Sequence, residues 1–92
     1  LKMAEGEPFE LVRRLREAAL AAPSCFPDAR EVITLDGVRV EFTHGFGLAR
    51  ASNTTPVVVL RFEADDAAAL DAIQATFRRA IDAVWPGLQL PF

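Results

Sequence analysis

The stretch Glu31-Val32-Ile33-Thr34-Leu35-Asp36-Gly37-Val38-Arg39-Val40-Glu41-Phe42 decides the fold class. Two runs rich in β-branched residues flank Asp36-Gly37, a dipeptide suited to a two-residue type I′ turn. Such a turn needs positive φ at both central residues and matches the twist of paired strands. The stretch therefore predicts an antiparallel hairpin. On its second strand Val38, Val40 and Phe42 share one face while Arg39 and Glu41 point the other way, so one side of the sheet is covered and the other is wet.

Toward the carboxyl end, Thr43 to Thr55 reads as a loop. Val57-Val58-Val59-Leu60-Arg61-Phe62-Glu63 then reads as a more interior strand, apolar on both faces until its end, with Pro56 at its first position. Asp65 and Asp66 suit the start of a helix, where a carboxylate caps free N–H groups and meets the positive end of the helix dipole. Leu70, Ile73, Phe77, Ile81 and Val84 recur at three- and four-residue steps, and Trp85-Pro86-Gly87 stops the pattern. The tail Leu88-Gln89-Leu90-Pro91-Phe92 is apolar enough to dock on the body. Toward the amino end, Leu11, Val12, Leu15, Ala18, Ala19 and Ala22 follow the helical period, predicting a helix from Phe9 to about Ala22 with Pro8 at its first position. Pro23-Ser24-Cys25-Phe26-Pro27-Asp28 ends it, since proline removes a donor and biases its predecessor away from helix. Helix, hairpin, strand, helix is not a repeated strand-helix-strand alternation. The order predicts an α+β domain with a mainly antiparallel sheet and two helices packed on one face.

At 92 residues and 51% apolar, the chain has the length of one domain and enough apolar surface to fold. Ten basic against thirteen acidic side chains give a net charge of -3, which lacks the electrostatic footprint of a nucleic-acid binder. Cys25, the single cysteine, cannot form an internal disulfide, and no Cys/His spacing suits zinc. The apolar runs are too short to span a bilayer, and the amino terminus lacks a signal-peptide pattern. A soluble cytoplasmic monomer with no membrane partner is the expectation. A start at Leu1 rather than Met implies further sequence upstream.

One segment asks for a chemical explanation. At the end of the Thr43 to Thr55 loop, Arg50, Ser52, Asn53, Thr54 and Thr55 supply a guanidinium, three hydroxyls and a carboxamide with no carboxylate among them. That is an inventory for an anion: Arg50 offers two parallel donors to a phosphate, and its neighbours add hydroxyl, amide and backbone donors if the loop curls. Asn53 tolerates the left-handed dihedrals that curling requires. The segment leads into a strand, so no helix dipole assists. An ordinary polar turn whose Ser and Thr bond their own backbone explains the same composition, and composition leaves both open. Elsewhere the plainer reading is favoured. Arg13, Arg14 and Arg16 read as a solvated face paired with Glu10 and Glu17 at four-residue steps. His44 has no local carboxylate, serine or cysteine partner and reads as an exposed residue near the anion site. Cys25 reads as an inert thiol, and Asp65, Asp66 and Asp71 as helix-start and polar-face residues rather than a metal cluster.

Taken together, Asp36-Gly37-Val38-Arg39-Val40, Gly45-Phe46-Gly47-Leu48, Arg50-Ala51-Ser52-Asn53-Thr54-Thr55-Pro56 and Leu60-Arg61-Phe62-Glu63 closely resemble the carboxyl-terminal domain of bacterial phosphomannomutase/phosphoglucomutase, in the α-D-phosphohexomutase superfamily. The specific part is Arg-x-Ser-Asn-Thr-x-Pro. Relatives acting on other sugars tend to carry Gly where Asn53 stands and often Glu where Thr55 stands, which points to the mannose/glucose branch. Phe46 stands where the family often has Trp, and some members have a lysine near His44. The resemblance implies a TATA-box-binding-protein-like fold and a single domain, residues 1–92, at the end of a four-domain enzyme interconverting hexose 6-phosphate and hexose 1-phosphate. It implies a phosphoserine in the first domain, Mg²⁺ in the second and no cofactor in this one. By the same resemblance, Arg50, Ser52, Asn53 and Thr54, with Thr55 beside them, grip the phosphate that is not reacting, and the partners are the sugar phosphate and the enzyme's other domains. Another class of function is a free-standing α+β module binding RNA or a peptide on an exposed sheet face. The acidic balance and the absence of an aromatic stacking set on the hairpin stand against it.

Overall fold

The structure, a computed structural model, describes residues 1–21 and 26–92. Helix α1 (Glu7–Ala21) is followed by strands β1 (Glu31–Ile33), β2 (Val38–Phe42), β3 (Gly45–Ala51) and β4 (Val58–Ala64), then helix α2 (Ala67–Val84). The four strands form one antiparallel sheet in the order β1-β2-β3-β4. Both helices pack on one face of it, as the amphipathic patterns require: Leu11, Leu15, Phe77 and Ile81 meet Val38, Val40, Ala49 and Val58 in a core with almost no solvent contact. Cys25 and the predicted end of the first helix at Ala22 lie outside the described residues.

Three expectations about the sheet are corrected. First, the Thr43 to Thr55 segment is not all loop, because Gly45–Ala51 is the strand β3, paired along its whole length to β4 and from Gly45 to Ala49 to β2. Its two glycines stand where neighbouring groups leave no room for a side chain. A Cβ on Gly47 would overlap the Phe77 ring, lying 2.8 Å from Cζ, and one on Gly45 would lie 2.7 Å from the Ala64 Cα. Second, β4 is not interior. With β3 taking that place, Val59, Arg61 and Glu63 face solvent while Val58, Leu60 and Phe62 turn toward the helices. Third, the hairpin forms, but Ile33 pairs with Arg39, so Thr34 to Gly37 make a longer connection than a two-residue turn. Gly37 has φ +88° while Asp36 stays at negative φ, and a type I′ turn needs both positive.

The ends of the chain brace this arrangement. Lys2 bridges to Val57, and Leu1 and Val58 exchange backbone hydrogen bonds of 3.1 and 2.8 Å, extending the β4 edge. The carboxyl-terminal tail docks as predicted, with the Phe92 ring 4.9 Å from that of Phe62. Asp66 caps α2, accepting a 2.8 Å hydrogen bond from the Ala69 N–H. Asp66→Ala should lower stability by about 1 kcal/mol, checked by urea unfolding.

Candidate functional site

Strand β3 carries Arg50 as its second-last residue, and the connection Ser52 to Val57 returns the chain into β4. This connection is closed by a 3.0 Å hydrogen bond from the Ser52 N–H to the Val57 carbonyl. Within it Ser52 Oγ is a hub. It accepts from the N–H groups of Thr54 and Thr55 at 3.3 and 3.4 Å and from the Thr55 hydroxyl at 3.2 Å, and Thr54 Oγ1 lies 3.4 Å away. These are long hydrogen bonds on an exposed turn, so an anion can displace them at little cost. Asn53 does not use the left-handed region expected of it; among the described non-glycine residues only Asp28 does, at φ 70°.

Arg50 and Asn53 line one groove of about 400 Å³, floored by Gly37 and Ala51 and walled by Arg13 and Arg16 of α1. The three hydroxyls are not among its lining residues; they gather on Ser52 Oγ instead. A carboxylate does reach the site, from the β1–β2 connection: Asp36 Oδ2 lies 3.5 Å from Arg50 Nη1. At that distance, with both groups well exposed, the pair is weak and leaves the guanidinium able to turn to a stronger anion. Gly37 supports the geometry, because a Cβ there would stand 3.0 Å from the Arg50 Cα.

His44 is not near this groove. Strand β3 separates it from Arg50 by six residues, about 20 Å at the usual rise per residue. It does have a carboxylate partner, one that local sequence could not reveal: Asp65 Oδ2 lies 3.3 Å from His44 Nδ1, joining the β2–β3 turn to the start of α2. Glu10 pairs with Arg14 and Arg13 with Glu17, as their spacing predicts, and Arg13 also bonds Glu10. Hydrogen bonds from Arg13 and Arg14 hold the Glu10 carboxyl at about 2, and those that Arg13 makes to Glu10 and Glu17 raise its own already high pKa. A carboxyl whose folded pKa is depressed stabilises the fold above its unfolded value near 4.5, and that contribution is lost as pH falls through about 2. Glu10→Gln should therefore lower the melting temperature slightly near neutral pH and hardly at all near pH 2.

The sheet face opposite the helices carries Arg39, Glu41, Phe46, Leu48, Arg61 and Glu63. Phe46 is an outward aromatic that reading β3 as a loop had hidden. Arg39 covers its ring at 3.9 Å, and the charges pair as Arg39 with Glu41 and Arg61 with Glu63. A single covered aromatic among self-paired charges is not a stacking platform for bases.

Residues 1–80 match the family model described as phosphoglucomutase/phosphomannomutase, C-terminal domain. The chain belongs to this family. It is 56% identical over 71 residues to a phosphoglucomutase of Neisseria gonorrhoeae, a match covering 73% of this chain and 15% of that protein. It is 44% identical over its full length to a phosphomannomutase/phosphoglucomutase of Pseudomonas syringae pv. tomato, 18% of whose length is covered. A crystal structure of a phosphoglucomutase/phosphomannomutase family protein from Burkholderia thailandensis superimposes with a TM-score of 0.82 at 57% identity, over 91% of this chain and 17% of that one. The chain thus spans less than a fifth of the length of these phosphoglucomutase/phosphomannomutase relatives. Among the described residues, no helix is long and apolar enough to cross a membrane, and no group of His, Cys, Asp and Glu is placed to hold a metal ion.

Proposed function

We propose that the chain is the substrate-phosphate-binding domain of a phosphohexomutase that interconverts hexose 6-phosphate and hexose 1-phosphate of the glucose and mannose series. In this reading Arg50, Ser52, Asn53, Thr54 and Thr55 grip the phosphate that is not reacting and help close the cleft against the enzyme's other domains. The observation that carries it is the meeting of Arg50 and Asn53 in one groove at the end of β3, beside a turn whose hydroxyls are held only by long hydrogen bonds. The guanidinium supplies the charge. Hydroxyl, carboxamide and backbone donors complete a shell that recognises a phosphate without reading which sugar carbon bears it, as a substrate held in two opposite orientations requires.

Phosphoryl transfer is catalysed largely by positioning and charge stabilisation, so a clamp remote from the reacting atoms contributes through orientation and by excluding water. The family's Mg²⁺ would supply charge stabilisation at the transferred group. Among the described residues no carboxylate cluster is placed to hold it, and its ligands would lie in the other domains of the enzyme. By itself the chain is not expected to be catalytic, and a clamp lacking the opposite wall should bind sugar phosphate no tighter than about millimolar.

Titration of the chain with glucose 1-phosphate, followed by amide chemical shifts, tests the assignment. Movement confined to Arg50–Thr54 and its immediate surroundings is the expected result. Unmoved amides there, with a peptide or an oligonucleotide shifting the open sheet face instead, would transfer the function to that face.

A further inference from the structure

Helix α1 carries Arg13, Arg14 and Arg16, and their contacts separate them. Arg13 is held between Glu10 and Glu17. Arg14 bonds Glu10, donates to the Val84 carbonyl at 3.3 Å and lies 4.7 Å over the Trp85 ring, tying α1 to the end of α2. Arg16 differs. It is half-buried and lines the groove with Arg50 and Asn53, yet among the described residues it has neither an ion pair nor a hydrogen bond.

A half-buried arginine without an acceptor among the described residues is poised for an anion, since partial burial strengthens the interaction it can make. The charge balance of the groove agrees. Three arginines, Arg13, Arg16 and Arg50, and one acid, Asp36, are among its lining residues, in a chain whose net charge is -3. Arg13 is already neutralised by two glutamates that do not line the groove. With Arg50 set against Asp36, the excess positive charge is that of Arg16 on the helix.

We propose that Arg16 is a second cationic anchor for the phosphate that Arg50 grips, so that one dianion sits in the groove between α1 and the end of β3. The proposal rests on the phosphate reading above and adds a donor from a separate element. Anchoring the phosphate to helix and sheet together fixes its place more firmly than one element can.

The test compares the 92-residue chain with Arg16→Gln, Arg16→Lys and Arg50→Gln by amide-shift titration with glucose 1-phosphate, alongside thermal melting. Arg16→Gln should weaken binding about fivefold, the scale of one partly screened charge, with melting unchanged, and Arg16→Lys should recover most of the loss. If Arg50→Gln weakens binding while Arg16→Gln leaves it unaltered, the second anchor is wrong and the phosphate site stands. If glucose 1-phosphate moves no amide between Arg50 and Thr54 in the unsubstituted chain, the site itself is wrong and Arg16 falls with it.

Discussion

Arg50→Ala, made in a full-length phosphoglucomutase/phosphomannomutase carrying this domain, should lower kcat/KM by about one to two orders of magnitude. A charge-assisted hydrogen bond contributes roughly 1.5 to 3 kcal/mol, and alanine removes the one guanidinium of the Arg-x-Ser-Asn-Thr segment together with its paired donors. Part of the loss should fall on kcat. On the proposed reading the gripped phosphate is remote from the reacting one, and binding energy realised there would hold the sugar in line for transfer. Stability should barely change, because the side chain is exposed and its Asp36 contact is a weak 3.5 Å pair. Steady-state kinetics with glucose 1-phosphate, run beside a melting curve, separates the two effects. Near-full activity would remove Arg50 from the site.

The second large effect is structural. Gly47→Ala should destabilise the domain by about 3 kcal/mol, at the upper end of what overpacking a core costs and a large share of the roughly 5 to 15 kcal/mol that holds a domain folded. The new Cβ would overlap the Phe77 ring, and that ring has nowhere to go. It is fully buried, with Phe26 5.0 Å away on a tilted contact and Phe62 5.2 Å away edge-on. Phe77→Leu in the same chain should recover part of the loss, since the smaller side chain vacates the space over the strand. Urea unfolding followed by circular dichroism gives both numbers. A midpoint unchanged by Gly47→Ala would show that the ring has room to shift and that the glycine is not what lets α2 lie so close to β3.

The partners of the groove explain why only part of the candidate site was legible beforehand. Arg50, Ser52, Asn53, Thr54 and Thr55 are neighbours along the chain, so their donor inventory could be read directly. The division among them could not: Arg50 and Asn53 line the groove while the hydroxyls collect on Ser52. Asp36 arrives from fourteen residues upstream and Arg16 from a different element, and neither has a local cue. The three arginines of α1 share one composition and one spacing rule, yet acquire different surroundings. Glu17 fixes Arg13, Val84 and Trp85 of the other helix fix Arg14, and the groove receives Arg16.

The same division runs through the fold. The amphipathic periods of both helices, the Asp66 cap, the β-branched runs around Asp36-Gly37 and the valine-rich strand are local patterns whose energies depend on near neighbours, and they determined the α+β class and the helical face of the sheet. Strand β3 was decided otherwise. Gly45 and Gly47 have low strand propensity, and Ala49 and Ala51 have little, so nothing in Gly45–Ala51 announces a central strand. Its conformation follows from hydrogen bonds to β2 and β4 on both sides and from the rings and backbone that occupy the space its glycines leave. Those contacts come from neighbouring strands and from α2 rather than from the residues of the segment itself, and they set both the interior of the sheet and the position of Arg50 at its end.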